Sequence, residues 1–240
     1  MSQFEEACRP VIFENEGTEF SYWGKGSSFL IANSESFYWV TASHVLTNMG
    51  GCAKSLRIFP LDDSKISLPY NEQYTVNRTL ADDEDYKDVF MLRIDLKEFD
   101  HHGDTPLVAQ DIEIGTIPAE RLKPGDELWV IGYPSESNFI DYDSCEIKNT
   151  RSVIRAIYKG ESVSLHCHEL TIDSSIKLES YDGLSGSPVF YMKHSFENGE
   201  LVRYPMLVGM LVRGTASSGI AHFVGSRVIV DIVNIAEKNA

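Results

Sequence analysis

From Ser27 onward the chain is cut into short runs of aliphatic, aromatic and β-branched residues divided by turn residues, and only its last stretch has helical spacing. That pattern suits barrels or sandwiches and leaves no room for alternating strands and helices. Ser27–Ala32 and Phe37–Thr41 flank the turn cluster Asn33-Ser34-Glu35-Ser36 and read as a hairpin. Leu56–Phe59, Tyr74–Val76 and Val89–Ile94 are further strand candidates. A polar, Pro/Gly-punctuated connection, His101–Glu120, carries one short strand near its end, and the turn Leu122-Lys123-Pro124-Gly125-Asp126 opens a second half. There the candidates are Glu127–Gly132, Ser152–Tyr158, Ser162–Leu170, Pro188–Met192, Met206–Val212 and Ala221–Val228. Six strands can close a small barrel. In Ile229–Lys238 the residues Ile229, Ile232, Val233 and Ala236 share one helix face.

Three segments carry chemistry. Gly183-Leu184-Ser185-Gly186-Ser187-Pro188 sets a serine between glycines, which permit a tight turn with backbone N–H groups aimed at a developing oxyanion. Val40-Thr41-Ala42-Ser43-His44 places a histidine directly after a strand. In Asp85-Tyr86-Lys87-Asp88-Val89, Asp88 leads into an apolar strand, whereas Asp82, Asp83, Glu84 and Asp85 form a solvated acidic loop. A serine hydroxyl is a weak nucleophile until a base takes its proton, so His44, Asp88 and Ser185 make sense as a set. An α/β-hydrolase fits poorly: its G-x-S-x-G elbow needs a second glycine where this chain has Ser187, the one aspartate after Ser185, Asp231, follows both His194 and His222, and alternating βα units are missing. His166-Cys167-His168 and His101-His102 offer imidazoles, but no carboxylate or cysteine spacing completes a metal site, and neither metal nor cofactor is expected.

The segments TASHVL, DVFML, GLSGSPVF and LVGMLVRG, in that order, with LKPGDELWVIGYP between the halves, resemble the trypsin-like (chymotrypsin-fold) serine peptidases. In style they are nearest to bacterial members such as the glutamyl endopeptidases and the HtrA-type proteases. The resemblance implies an all-β protein of two antiparallel six-stranded β-barrels with a C-terminal helix packed outside the second. The barrels would span roughly residues 11–115 and 122–228, within units 1–121 and 122–240. It implies a serine endopeptidase with His44, Asp88 and Ser185 as its triad. The N–H groups of Gly183 and Ser185 would form the oxyanion hole, and Val212 and Gly214 would hold an extended protein or peptide substrate. Counting back from Ser185 puts Glu179, with Ser180 beside it, at the floor of the side-chain pocket, or else leaves Glu179 a solvated loop residue. Ala221 and His222 would form the opposite wall. Leu184 stands where zymogen-activated members carry an aspartate, so activation by N-terminal cleavage is not expected. The glutamyl endopeptidases place a histidine where this chain has Leu211, so glutamate specificity is not implied. A latent trypsin-like module, switched on by an activating protein partner, is the alternative reading.

With 36 Asp plus Glu against 21 Lys plus Arg, the net charge of −15 repels nucleic acid and anionic lipid. The start, MSQFEEACRP, has no apolar run and is not a signal peptide, and no segment is long enough to span a membrane. Cys8, Cys52, Cys145 and Cys167 form no CxxC pair and are expected to be reduced, which points to the cytoplasm.

Overall fold

The computed structural model describes residues 3–15, 21–34, 36–47, 52–61, 64, 66–76, 85–99, 107–144, 146–176 and 178–239. The second half is the closed six-stranded barrel that its strand count suggested. Glu127–Gly132 pairs with Ser152–Glu161, then follow Cys167–Ile172, Ile220–Gly225, Glu200–Thr215 and Pro188–Glu197, which returns to the first strand through Leu128↔Tyr191. Every rung is antiparallel. Alternate side chains point inward, so Leu128, Val130, Ile154, Ala156, Leu170, Leu211, Ala221 and Phe223 fill the interior.

The first half is also β, built as two sheets over one core. Cys8–Pro10, Ser27–Asn33, Ser36–Ala42, Val89–Ile94 and Tyr70–Thr75 pair in that order, antiparallel throughout, and Gln110–Asp111 joins Ser27–Asn33 in parallel. Tyr22–Trp23, Ile12–Glu14 and Leu56–Arg57 make the smaller sheet. Phe13, Leu56 and Ile58 from the small-sheet side share a cluster with Phe29, Leu30, Trp39 and Met91 from the large one. Among the described residues the six strands of the larger sheet do not hydrogen-bond into a ring as those of the second half do.

The C-terminal helix, Ser226–Asn239, buries Ile229, Ile232, Val233 and Ala236, the face read from its spacing. It does not sit on the second barrel alone. Its residues join the first half's core cluster, and Glu237 accepts a hydrogen bond from the Tyr38 hydroxyl at 2.5 Å. That bond and the Arg93 charge hold the Glu237 carboxyl below its usual range. The helix therefore bridges the halves. No helix among the described residues is long and apolar enough to cross a membrane.

Candidate active site

The pairing of Ser36–Ala42 with Val89–Ile94 ends at Ala42↔Val89, which brings Asp88 beside the residues that follow Ala42. Those residues open a short helix, Ser43–Thr47, so His44 lies one step inside a helix rather than at a bare strand end. The first amides of a helix have no intrahelical acceptor. Asp88 supplies both: its carbonyl accepts the Ser43 N–H at 3.1 Å, and its Oδ1 accepts the His44 N–H at 2.9 Å. Its Oδ2 meets His44 Nδ1 at 2.5 Å. A carboxylate can only accept here, so Nδ1 carries the proton and Nε2 keeps a lone pair. The histidine side chain is 32% exposed and the aspartate 15%, an accessible base on a sheltered anchor.

Ser185 sits between two glycines, each at φ +88°. A Cβ at Gly183 would come within 2.4 Å of the Tyr133 carbonyl oxygen, and one at Gly186 within 2.0 Å of the Ser27 carbonyl oxygen. Both positions combine left-handed backbone with close approach, which only glycine satisfies. The amides of Leu184, Gly186 and Ser187 are taken by the carbonyls of Tyr181, Leu211 and Leu184. The amides of Gly183 and Ser185 have no acceptor among the described residues. Two donors left open beside a hydroxyl are suited to an anion.

The Ser185 hydroxyl donates to the Val212 carbonyl at 3.2 Å, and no hydrogen bond among the described residues joins it to His44. Val212 is available because the register slips between Leu211↔Phe223 and Arg213↔His222. Such a bulge leaves one residue out of the ladder and turns its carbonyl elsewhere.

The expected pocket residues divide. Gly214 pairs with Ala221, and a Cβ at Gly214 would stand 2.7 Å from Ala221 Cβ and 2.8 Å from Tyr181 Cδ2. Glu179 and Ser180, by contrast, are exposed. The Glu179 amide donates to Glu136 Oε2, and Ser180 Oγ accepts the Asp182 amide. Glu179 is thus the solvated loop residue, because an unpaired carboxylate gains more from water than from an apolar floor. The half-buried Tyr181, packed with Ile176 and Leu178 against the second barrel's core, takes the place beside Gly214. Sequence reasoning passed over it, although Ile176, Leu178 and Tyr181 form an apolar series within the loop. His222 does not face this group. Period-two alternation sends it to the other side of its strand from Ala221, where Ser162 Oγ lies 3.2 Å from its Nδ1 and burial lowers its pKa.

The other histidines do not converge. His168 is buried, bonded to the Tyr158 hydroxyl at 2.8 Å and stacked on Phe223, and burial lowers its pKa. His166 turns its ring edge-on to Tyr86. No group of three His, Cys, Asp or Glu among the described residues could hold a metal ion. His101, His102 and Asp82–Glu84 lie outside the described residues. Cys8 is buried. Cys167 is a buried free thiol, pushed up to about 12 chiefly by burial, and Cys52 is an exposed one. Cys145 lies outside the described residues.

A family model described as the trypsin-like peptidase domain matches residues 26–196. Among curated proteins none matches the chain in sequence. Among solved structures, human heparin binding protein is similar over 100% of this chain and 95% of its own, with TM-score 0.59 and 10% identity. An atomic-resolution structure of HBP gives TM-score 0.58 and 10% identity over the same shares, 100% and 95%. Rv3671c from M. tuberculosis H37Rv, in an inactive form, gives TM-score 0.44 and 16% identity over 96% of this chain and 86% of its own.

Proposed function

Because the chain belongs to the trypsin-like peptidase domain family, we propose that it is a serine endopeptidase whose triad is His44, Asp88 and Ser185. The observation that carries this reading is the double grip of Asp88 on the amide and Nδ1 of His44, which leaves Nε2 as a base. In the reaction the Ser185 hydroxyl leaves Val212 and gives its proton to His44 Nε2 while Oγ attacks the scissile carbonyl. The tetrahedral oxyanion takes the open amides of Gly183 and Ser185. The imidazolium, stabilised by Asp88, then protonates the leaving amine, and water repeats the sequence to free the acyl group. Backbone groups of Val212 and Gly214 pair with the extended substrate as an added strand. The first unit, 1–121, supplies base and anchor, and the second, 122–240, supplies nucleophile and oxyanion donors.

Activation by N-terminal cleavage plays no part in this reading. Position 184 is a leucine, 0% exposed, and has no charge to pair with a new N-terminus. We place the enzyme in the cytoplasm, a proposal supported by Cys52 and Cys167, which form no disulfide. Its substrate is a protein or peptide.

The test is a fluorophosphonate probe on the isolated, folded protein, with the adduct located by peptide mass spectrometry. A single adduct on the peptide containing Ser185 is expected. The second reading, a latent module awaiting an activating partner, is favoured by the hydroxyl resting on Val212. Absence of an adduct on folded protein would select it over the first.

Tyr181 also sets an expectation for specificity. With its ring beside Gly214, the pocket for the residue preceding the scissile bond admits small side chains best. Tyr181→Ala should raise kcat/KM for leucine or phenylalanine there by about tenfold relative to alanine, the scale of a modest change in pocket volume. Glu179→Gln should leave the same peptide-library profile unchanged. A profile altered by Glu179→Gln and indifferent to Tyr181→Ala would put the carboxylate back in the pocket.

A further inference from the structure

We propose that Ser27 is a positioning residue: a buried hydroxyl of the first half that fixes the orientation of the oxyanion-binding peptides in the second. The proposal rests on the reading of the Gly183–Ser185 loop as peptidase machinery. Ser27 opens the strand Ser27–Asn33 and is 0% exposed. Its amide donates to the Ser185 carbonyl at 2.9 Å, and its carbonyl accepts the Thr41 hydroxyl at 2.7 Å. Its Oγ lies 2.7 Å from the Gly183 carbonyl oxygen and 2.8 Å from the Tyr133 amide nitrogen.

The polarity of that last pair is fixed. The Tyr133 amide can only donate, so Oγ accepts from it and must spend its own proton on Gly183. Gly183 is then pinned on both sides. The carbonyl before it, on Asp182, accepts the Ser135 amide at 2.8 Å, and its own carbonyl accepts the Ser27 hydroxyl. In a trans peptide the N–H points opposite the preceding carbonyl, so the Ser135 bond aims the Gly183 N–H. The Ser27 bond stops the following peptide from rotating. Glycine imposes almost no torsional preference of its own, so an external fastener has most to do at such a residue. Thr41, three residues before His44, ties the strand that leads into the histidine-bearing helix to the same point. The fit is close: a Cβ on Gly132 would come within 2.8 Å of Ser27 Oγ, as one on Gly186 would of the Ser27 backbone.

Ser28 supplies the control. It is equally buried, and its hydroxyl donates to the Arg9 carbonyl at 2.9 Å, with no link to the loop. The experiment compares Ser27→Ala and Ser28→Ala by thermal unfolding, peptide hydrolysis, inhibition by a peptide boronate, and amide hydrogen exchange across residues 181–186. Both variants should lose similar stability. Ser27→Ala alone should lower kcat by about tenfold to a hundredfold, somewhat less than outright removal of an oxyanion donor. Its KM should stay within about twofold of wild type. Boronate affinity should fall with kcat, and exchange in 181–186 should accelerate at least about tenfold. Wild-type kcat and exchange in Ser27→Ala, or equal losses in Ser28→Ala, would overturn the proposal. If the wild type hydrolyses no peptide, the endopeptidase reading fails by itself, and the exchange comparison still decides whether Ser27 holds the loop.

Discussion

Ser185→Ala should reduce peptide turnover by about 10⁶-fold and abolish fluorophosphonate labelling, and Asp88→Asn should reduce turnover by about 10⁴-fold, with both variants still folded. The two losses have different origins. Alanine removes the atom that forms the acyl bond, leaving only substrate binding and oxyanion donors. Asparagine keeps the shape but presents an amide that can donate where Asp88 Oδ2 accepts from His44 Nδ1 at 2.5 Å. The ring then favours the tautomer protonated on Nε2, and the base has no lone pair for the Ser185 proton. Asp88 also holds the Ser43 amide through its carbonyl, which the substitution leaves in place, so the helix carrying His44 should persist. Steady-state kinetics with circular dichroism on each variant is the measurement. Turnover within tenfold of wild type in Asp88→Asn would mean that His44 is not the base.

Gly186→Ala should destabilise the protein by about 2–5 kcal/mol, as left-handed strain of about 1–2 kcal/mol adds to overpacking of about 1–3 kcal/mol. The new methyl would stand 2.0 Å from the Ser27 carbonyl oxygen and 2.5 Å from Thr41 Oγ1. Neither can retreat easily, since the two are hydrogen-bonded to each other within the large sheet. Gly125→Ala separates the two contributions, because φ there is +101° and nothing lies within 4 Å of the added carbon. Urea unfolding should give that control the strain component alone. Equal losses at the two positions would mean that the halves do not press together at Gly186.

Apolar, β-branched runs between turn residues make strands of both halves legible in the sequence: Val89–Ile94 and Glu127–Gly132 have the limits that their residues suggest. The segments that sequence missed are those where tertiary contacts override local preference. Cys8–Pro10 contains a charge and a proline, which argue against a strand, yet it pairs with Ser27–Phe29. Arg9 is buried there because the Phe59 carbonyl at 2.9 Å, with those of Glu6 and Pro60, satisfies its guanidinium. Likewise Phe139–Asp141 and Glu146–Lys148 pair as a hairpin although each is only three residues long and the second is exposed throughout. Of the candidate site, His44, Asp88, Ser185 and the glycines stood out because the proposed chemistry demands those residue types. Tyr181 and Ser27 did not, since a tyrosine beside a glycine and a serine on a strand acquire their roles only from what lies opposite. Counting residues back left two places open for Glu179 for a related reason: the path of a loop depends on which side chains it buries, and this one leaves Glu179 exposed.

The bulge at Val212 has a consequence for timing. A carbonyl carries no titratable proton, so the hold of Val212 on the Ser185 hydroxyl does not itself depend on pH. Leaving it costs no more than one neutral hydrogen bond, about 1 kcal/mol. Rotation about a single side-chain torsion takes about nanoseconds, whereas an ordinary enzyme turns over about ten times per second. On the serine-peptidase reading, the resting hydroxyl would have time to reach His44 millions of times within each cycle, so the bulge would set where the nucleophile waits without slowing the reaction.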